Sequence, residues 1–295
     1  MPNRANYFIP TLALIIFLLS SIAISINSFT YRFPGNNYFP PNMLLMGSVL
    51  FLSLTGAYLL SNKQSPLFQI IRELCYFLLV VTVIAYATNA VQYTPFPPID
   101  RQLIAIDSVF YINLQKIMAW TASIPLLRNM LALSYDSLPY QMAYLPLIVI
   151  AGRKFTLIRE YYALLLLTTL IGFTIYYFFP TMGPSSFIKS PYFMQEQYAT
   201  GIKFRELHQH KLPSTEDGGM IAMPSFHAIW AWLCLNLVRC WPFIFVLLLP
   251  LNLLLIISCV LLGWHYLIDL VASLIILLLS YQVYFYFVKD NSFDK

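Results

Sequence analysis

The 295 residues are 59% hydrophobic and only 10% charged, against roughly 25% charged residues in soluble domains. That balance excludes a water-soluble globular chain and predicts a polytopic membrane protein. The formal net charge of +5 calls for no nucleic-acid partner, because lysines and arginines at inside-facing span ends account for it.

Apolar runs near the spanning length of about 20 residues recur at 8–28, 43–62, 69–92, 156–180, 243–262 and 265–288. Shorter runs at 138–152 and 224–240 are flanked by other spans. The pattern predicts an all-α, polytopic transmembrane bundle of about eight spans, six of them forming its core, with interfacial helices. It divides the chain into N-terminal spans (1–95) and a core (96–290). The first run follows Arg4 and contains Ala23 and Ser25, small residues that would suit a signal-peptide cleavage site. Its length, with further spans behind it, reads as an uncleaved anchor. Cys75, Cys234, Cys240 and Cys259 lie in or beside apolar runs and form no CxxC or Cys/His metal pattern.

Counting Lys and Arg near span ends sets the orientation. An inside N terminus puts Arg4, Lys63, Arg72, Arg153, Lys154, Arg159, Arg239 and Lys289 on the cytoplasmic side. Both termini are then inside, and two long connections, 93–137 and 181–223, face out. In 97–140, Asp100, Arg101, Asp107, Lys116, Arg128 and Asp136 interrupt the apolar residues too often for a span, so helices lying along the interface are expected. The connection 181–223 carries Gly183, Pro184, Pro191, Pro213, Gly218 and Gly219 and reads as the largest polar loop. Its His208 and His210, in "HQH", lack nearby carboxylate spacing, and no metal is assigned to them.

Where that loop ends, "AMPSFHAIWAW" (222–232) sets His227 in an apolar run. Pro224 suits a first helical turn, where its missing N–H costs nothing. The free N–H groups of Ser225, Phe226 and His227 would then point out of a helix N terminus, where an anion is favoured. Ser225 adds a hydroxyl donor. This is a phosphate cradle beside an acid/base group.

Further on, "LGWHYLIDLVAS" (262–273) spaces His265 and Asp269 as neighbours on one face of a helix. A carboxylate there accepts the imidazole N–H, fixing its tautomer and raising the basicity of the other nitrogen. A structural His–Asp pair is the alternative. The 38-residue separation of His227 and His265 holds two apolar stretches joined by "RCWP" (239–242), one crossing inward and one back. Both histidines then return to the outer side, and ionisable groups near a membrane are costly and usually functional.

"PSFH" followed by "HYLID" resembles the second and third signature motifs of the type 2 phosphatidic acid phosphatase superfamily. The branch it is most similar to holds inositol phosphorylceramide synthases and their bacterial relatives. "PPIDRQLIAID", "LALSYDSLPYQ" and "FFPTMGPSS" resemble further features of that branch, and the similarity covers about 97–285. The resemblance implies a helical membrane bundle and phosphoryl transfer through a phosphohistidine, with no metal and no cofactor. Carried over, His265 would attack phosphorus and Asp269 would orient it and stabilise its positive charge. His227 would protonate the leaving oxygen and later activate the acceptor, while Ser225 would bind the phosphate. A multi-pass protein of a bacterial inner membrane with an extracytoplasmic active site is expected.

Two motifs depart from the phosphatase pattern. Ser258-Cys259 stands where the third motif has Ser-Arg, and the first motif, Lys with six residues to Arg-Pro, is absent. Phosphoryl charge usually calls for basic clamps. The candidates are Lys189, Lys203, Arg205 and Lys211, with Lys203 and Arg205 the preferred pair. The predicted function is hydrolysis of a phosphomonoester or pyrophosphate of a lipid. Transfer of a lipid-linked phosphoryl head group to an alcohol such as inositol is the alternative, and a non-enzymatic lipid carrier with a degenerate site is a further one.

Overall fold

A computed structural model of the chain describes residues 5–32, 35–60, 62–92, 94–215 and 218–289. Arg4, one of the residues used for orientation, lies outside the described residues. Thirteen α-helices and a closing π-helical turn, with no strand, account for the regular structure among the described residues.

The membrane-length helices are α1 (Ala5–Tyr31), α2 (Met43–Leu60), α3 (Pro66–Val91), α8 (Phe155–Phe178), α12 (Pro242–Leu261) and α13 (Leu267–Tyr284). Two shorter apolar helices, α7 (Leu138–Ala151) and α11 (Phe226–Leu237), match the two shorter runs of the sequence. Their ends follow local chemistry. Ser65 caps α3, its hydroxyl accepting the Phe68 N–H at 3.2 Å, and Pro66 follows at the first turn. Pro242 opens α12 in the same way.

The buried axis is α8. Ile158, Leu164, Leu166, Thr168 and Tyr176 on it are fully buried, because α1, α3, α7, α11 and α13 all pack against it. The resulting apolar core joins Ile9 and Leu12 of α1 and Val80 of α3 to Leu233 of α11 and Ile276 of α13. Gly172 sets how closely α8 meets the start of α11. A Cβ there would lie 2.7 Å from Phe226 Cζ and 3.0 Å from Pro224 Cγ. By contrast α2 packs on α3 and exposes Leu44, Leu52, Leu59 and Leu60. Its backbone is satisfied internally, so this apolar surface suits lipid.

The charged segment 97–140 forms three short helices, α4 (Asp100–Val109), α5 (Leu114–Ala122) and α6 (Pro125–Asp136), which pack on the outer-predicted ends of α13 and α12. The expected polar loop 181–223 is partly helical. It contains α9 (Pro184–Phe187) and α10 (Gln195–His208). Its glycines and prolines cluster at the two ends, leaving 195–208 with Gly201 alone to interrupt a helix. Gly201 is needed for a close approach, since a Cβ would lie 2.8 Å from Ser185 Oγ.

Candidate active site

Three chain segments meet where α8 and α12 end and α11 and α13 begin. In the first, Ser225 is the N-cap of α11 and Phe226 its first helical residue. Pro224 therefore lies just outside the helix, not in its first turn as its residue type predicts. Ser225 is fully buried, and its hydroxyl accepts from Ala228 N at 3.4 Å and donates to Cys259 Sγ at 3.7 Å. The Ser273 hydroxyl donates to the Ser225 carbonyl at 3.1 Å, tying the start of α11 to α13. His227 is then the second residue of the helix, at the end favourable to anions.

In the second segment, α12 turns into α13 through Gly263, whose φ is +81°. Any side chain here would also strike Met118, with Sδ 2.5 Å from an added Cβ. His265 sits in this turn ahead of α13, so it and Asp269 do not share a helix face as their spacing predicts. They meet because Tyr266 is the N-cap and Asp269, three residues on, folds its carboxylate back. Oδ2 accepts the Tyr266 N–H at 3.0 Å and lies 3.4 Å from His265 Nδ1. The nearer acceptor for Nδ1 is the Ala222 carbonyl at 2.8 Å. Both acceptors place the proton on Nδ1 and leave Nε2 with its lone pair.

The third segment is α6. Tyr135 stacks on His227 with ring centroids 4.1 Å apart and on Trp264 at 5.0 Å, both nearly parallel. Its hydroxyl is 3.3 Å from His227 Nδ1. Burial pushes this phenol well above its ordinary range, so it stays protonated and has a hydrogen to give to Nδ1. Its oxygen can equally accept from Nδ1 when His227 carries a proton there.

The imidazoles of His227 and His265 lie 6.1 Å apart, centroid to centroid, and wall one cavity of about 40 Å³. Met182, Gly183, Gln197, Thr200, Gly219 and Trp264 complete much of its lining. Asp269 stands behind His265 and Ser225 behind His227. Lys203 and Arg205 are not part of this wall. Lys203 is fully buried, with Nζ donating to the Gly218 carbonyl at 2.9 Å, so it braces the loop that brings Gly219 and Ala222 to the cavity. Arg205 is exposed and its Nε reaches back to Gly201 O at 3.3 Å. Lys189 and Lys211 are also exposed. His208 is bonded to the Phe204 carbonyl at 2.8 Å, and the His210 ring stacks on Tyr31.

Sequence reasoning assigned no role to Tyr135, Trp264, Asp100 or Asp107. Asp100 and Asp107 accept backbone N–H groups from the segments around the cavity. A signal was present in their separation of seven residues, two turns along one helix face. No curated protein and no solved structure matches this chain. A family model described as the PAP2 superfamily matches residues 101–283, a span that holds α5 to α12, both histidines and nearly all of α4 and α13. With that match over more than half of its length, the chain belongs to the PAP2 superfamily.

Proposed function

We propose that this protein is an integral membrane lipid phosphatase that works through a phosphohistidine on His265. Membership of the PAP2 superfamily suggests phosphatase or phosphotransferase chemistry. The observation that carries the reading is the pair of imidazoles facing one cavity, with His265 Nδ1 engaged by Ala222 O and Asp269 so that Nε2 is left as nucleophile.

In the first step Nε2 forms a bond to phosphorus and the bond to the lipid oxygen breaks. His227, protonated, gives its proton to that oxygen and the lipid alcohol leaves. In the second step His227 takes a proton from water, whose oxygen attacks phosphorus, and the P–N bond breaks to release phosphate. Asp269 stabilises the positive imidazole between the steps. The N terminus of α11 favours the phosphoryl oxygens, and Ser225 keeps that terminus in place. The cavity is taken to open on the extracytoplasmic face, because Arg72, Arg159 and Arg239 all sit at the opposite end of the bundle. A substrate anchored in the bilayer by its tail would present its phosphate at this level.

Transfer to an alcohol is the second reading, favoured by "FPTMGPSS", which supplies Met182 to Ser185 to the cavity wall. The test is phosphate release from phosphatidic acid, lysophosphatidic acid, phosphatidylglycerol phosphate and polyprenyl pyrophosphate in detergent with EDTA, beside His265→Ala. Release by the wild type alone is expected. Turnover that starts only when inositol or a sugar alcohol is added would replace hydrolysis with transfer.

A further inference from the structure

Two carboxylates of α4 lie behind the cavity wall and hold two of the segments that shape it. Asp100 is fully buried. Its Oδ2 accepts the Met182 N–H at 2.8 Å, and its Oδ1 accepts the Gly183 N–H at 2.9 Å and the Tyr266 hydroxyl at 3.2 Å. Met182 and Gly183 wall the cavity, and Tyr266 follows His265 in the chain. Asp107 lies two turns further along the same face. Its Oδ2 accepts the Leu267 N–H at 3.0 Å and its Oδ1 the Ile268 N–H at 3.1 Å. These are the first two N–H groups of α13, which the helix itself leaves without partners.

We propose that Asp100 and Asp107 are positioning residues, and that α4 is a two-pronged latch holding the Tyr266–Asp269 turn, and with it the His265 imidazole, in its reactive orientation. The proposal rests on the reading of His265 as the nucleophile. Two observations argue for it. First, Tyr266, Leu267 and Ile268 give their successive N–H groups to Asp269, Asp107 and Asp107. The start of α13 is thus fully occupied by protein carboxylates, and the substrate phosphate is left with the start of α11. Second, the Asp269 carboxylate lies 3.4 Å from the imidazole that must become a cationic phosphohistidine, and Asp107 fixes the two residues that follow Tyr266. A latch made of serine or asparagine would serve N–H groups but supply no charge.

The test measures the same variants in two ways. Diethyl pyrocarbonate modifies neutral imidazole, and mass spectrometry assigns the rate to each histidine. His265 is buried in the wild type, so Asp107→Ala and Asp100→Asn are expected to raise its labelling about fivefold or more by local opening. His208 and His210 should label at wild-type rates. Phosphate release should fall about 10- to 100-fold in kcat, since small misplacements of a reacting group are that costly, with KM little changed. Asp107→Asn keeps one acceptor oxygen and is expected to recover part of the lost kcat. It also serves if Asp107→Ala fails to fold. His265 labelling that is unchanged in Asp107→Asn and Asp100→Asn, or that rises equally for all histidines, overturns the latch. If the wild type releases no phosphate from any substrate, the reading of the function fails, while the labelling still decides the latch.

Discussion

The two ends of the bundle bury carboxylates in different company. Where α3 and α8 begin, Glu73 is fully buried and meets Arg159 at 2.6 Å and Arg72 at 3.1 Å, and Glu160 meets Arg239 at 2.8 Å. At the opposite end Asp100, Asp107 and Asp269 are just as buried, but all of their oxygens except Asp269 Oδ1 take backbone N–H groups, a phenol or an imidazole. Both arrangements relieve the cost of an unpartnered buried polar group. Only the first neutralises the charge. A guanidinium on a glutamate bolts α8 to α3 and to the turn that follows α11 and leaves little field behind. Backbone donors satisfy an aspartate yet keep its negative charge in place, where it can stabilise a cationic imidazole. Anchorage and the proposed reactivity thus use the same residue class with different partners.

Substitutions that break the reactive end should have the largest effects. His265→Ala, which removes the proposed nucleophile, is expected to lower kcat by about 10⁴-fold or more. Loss of the proposed proton carrier in His227→Ala should cost about 10²- to 10⁴-fold. An activated leaving group, such as p-nitrophenolate, needs no proton and should recover much of that loss. Recovery in His227→Ala but not in His265→Ala would separate the two roles, and recovery in both would sink the assignment. Asp269→Asn should fall between them, because the Ala222 carbonyl still holds the His265 tautomer.

The comparison also shows what a sequence discloses. Crossing helices were legible because a span must be apolar over its whole length. All eight apolar runs became helices, including the short α7 and α11. The spacing of His265 and Asp269 announced a pair but misplaced its geometry, since an N-cap turn brings such residues together as well as a helix face does. Charge in the loop 181–223 said nothing about direction. Lys203 turned inward to a carbonyl and Arg205 outward. Asp100 and Asp107 read as interruptions of an apolar segment, because their partners lie some 80 to 165 residues away in the chain. Tertiary contacts of that kind leave only the seven-residue interval in the sequence.

A smaller effect should appear with pH. Burial pushes the Asp100 carboxyl up from its usual range to about 7, against the hydrogen bonds from Met182, Tyr266 and Gly183, and the Asp269 charge adds to the rise. Tyr176 also faces it from α8. The ionised form accepts all three donors, while the protonated form loses acceptor capacity. The latch should hold above pH 7 and loosen as pH falls through 7, with kcat dropping by up to about tenfold per pH unit from this group. Asp100→Asn cannot titrate, so the wild-type limb near 7 should vanish in its pH–kcat profile. A limb that survives unchanged belongs to another group.

The smallest effect on turnover should come from the bolted end. Glu73→Gln leaves Arg159 facing a neutral amide. Breaking a buried pair in this way costs about 3 kcal/mol or more when both partners are sealed off. Arg159 and Arg72 keep some exposure, which screens the loss toward about 1–3 kcal/mol. The unfolding midpoint in detergent should fall accordingly. Turnover per folded molecule should stay within about twofold, because Tyr161 to Tyr176, the buried length of α8, separates Glu73 from the cavity and no reacting group touches it. A drop in kcat comparable to that of His227→Ala would mean that the two ends are mechanically coupled through α8, and the division between anchorage and reactivity would fail.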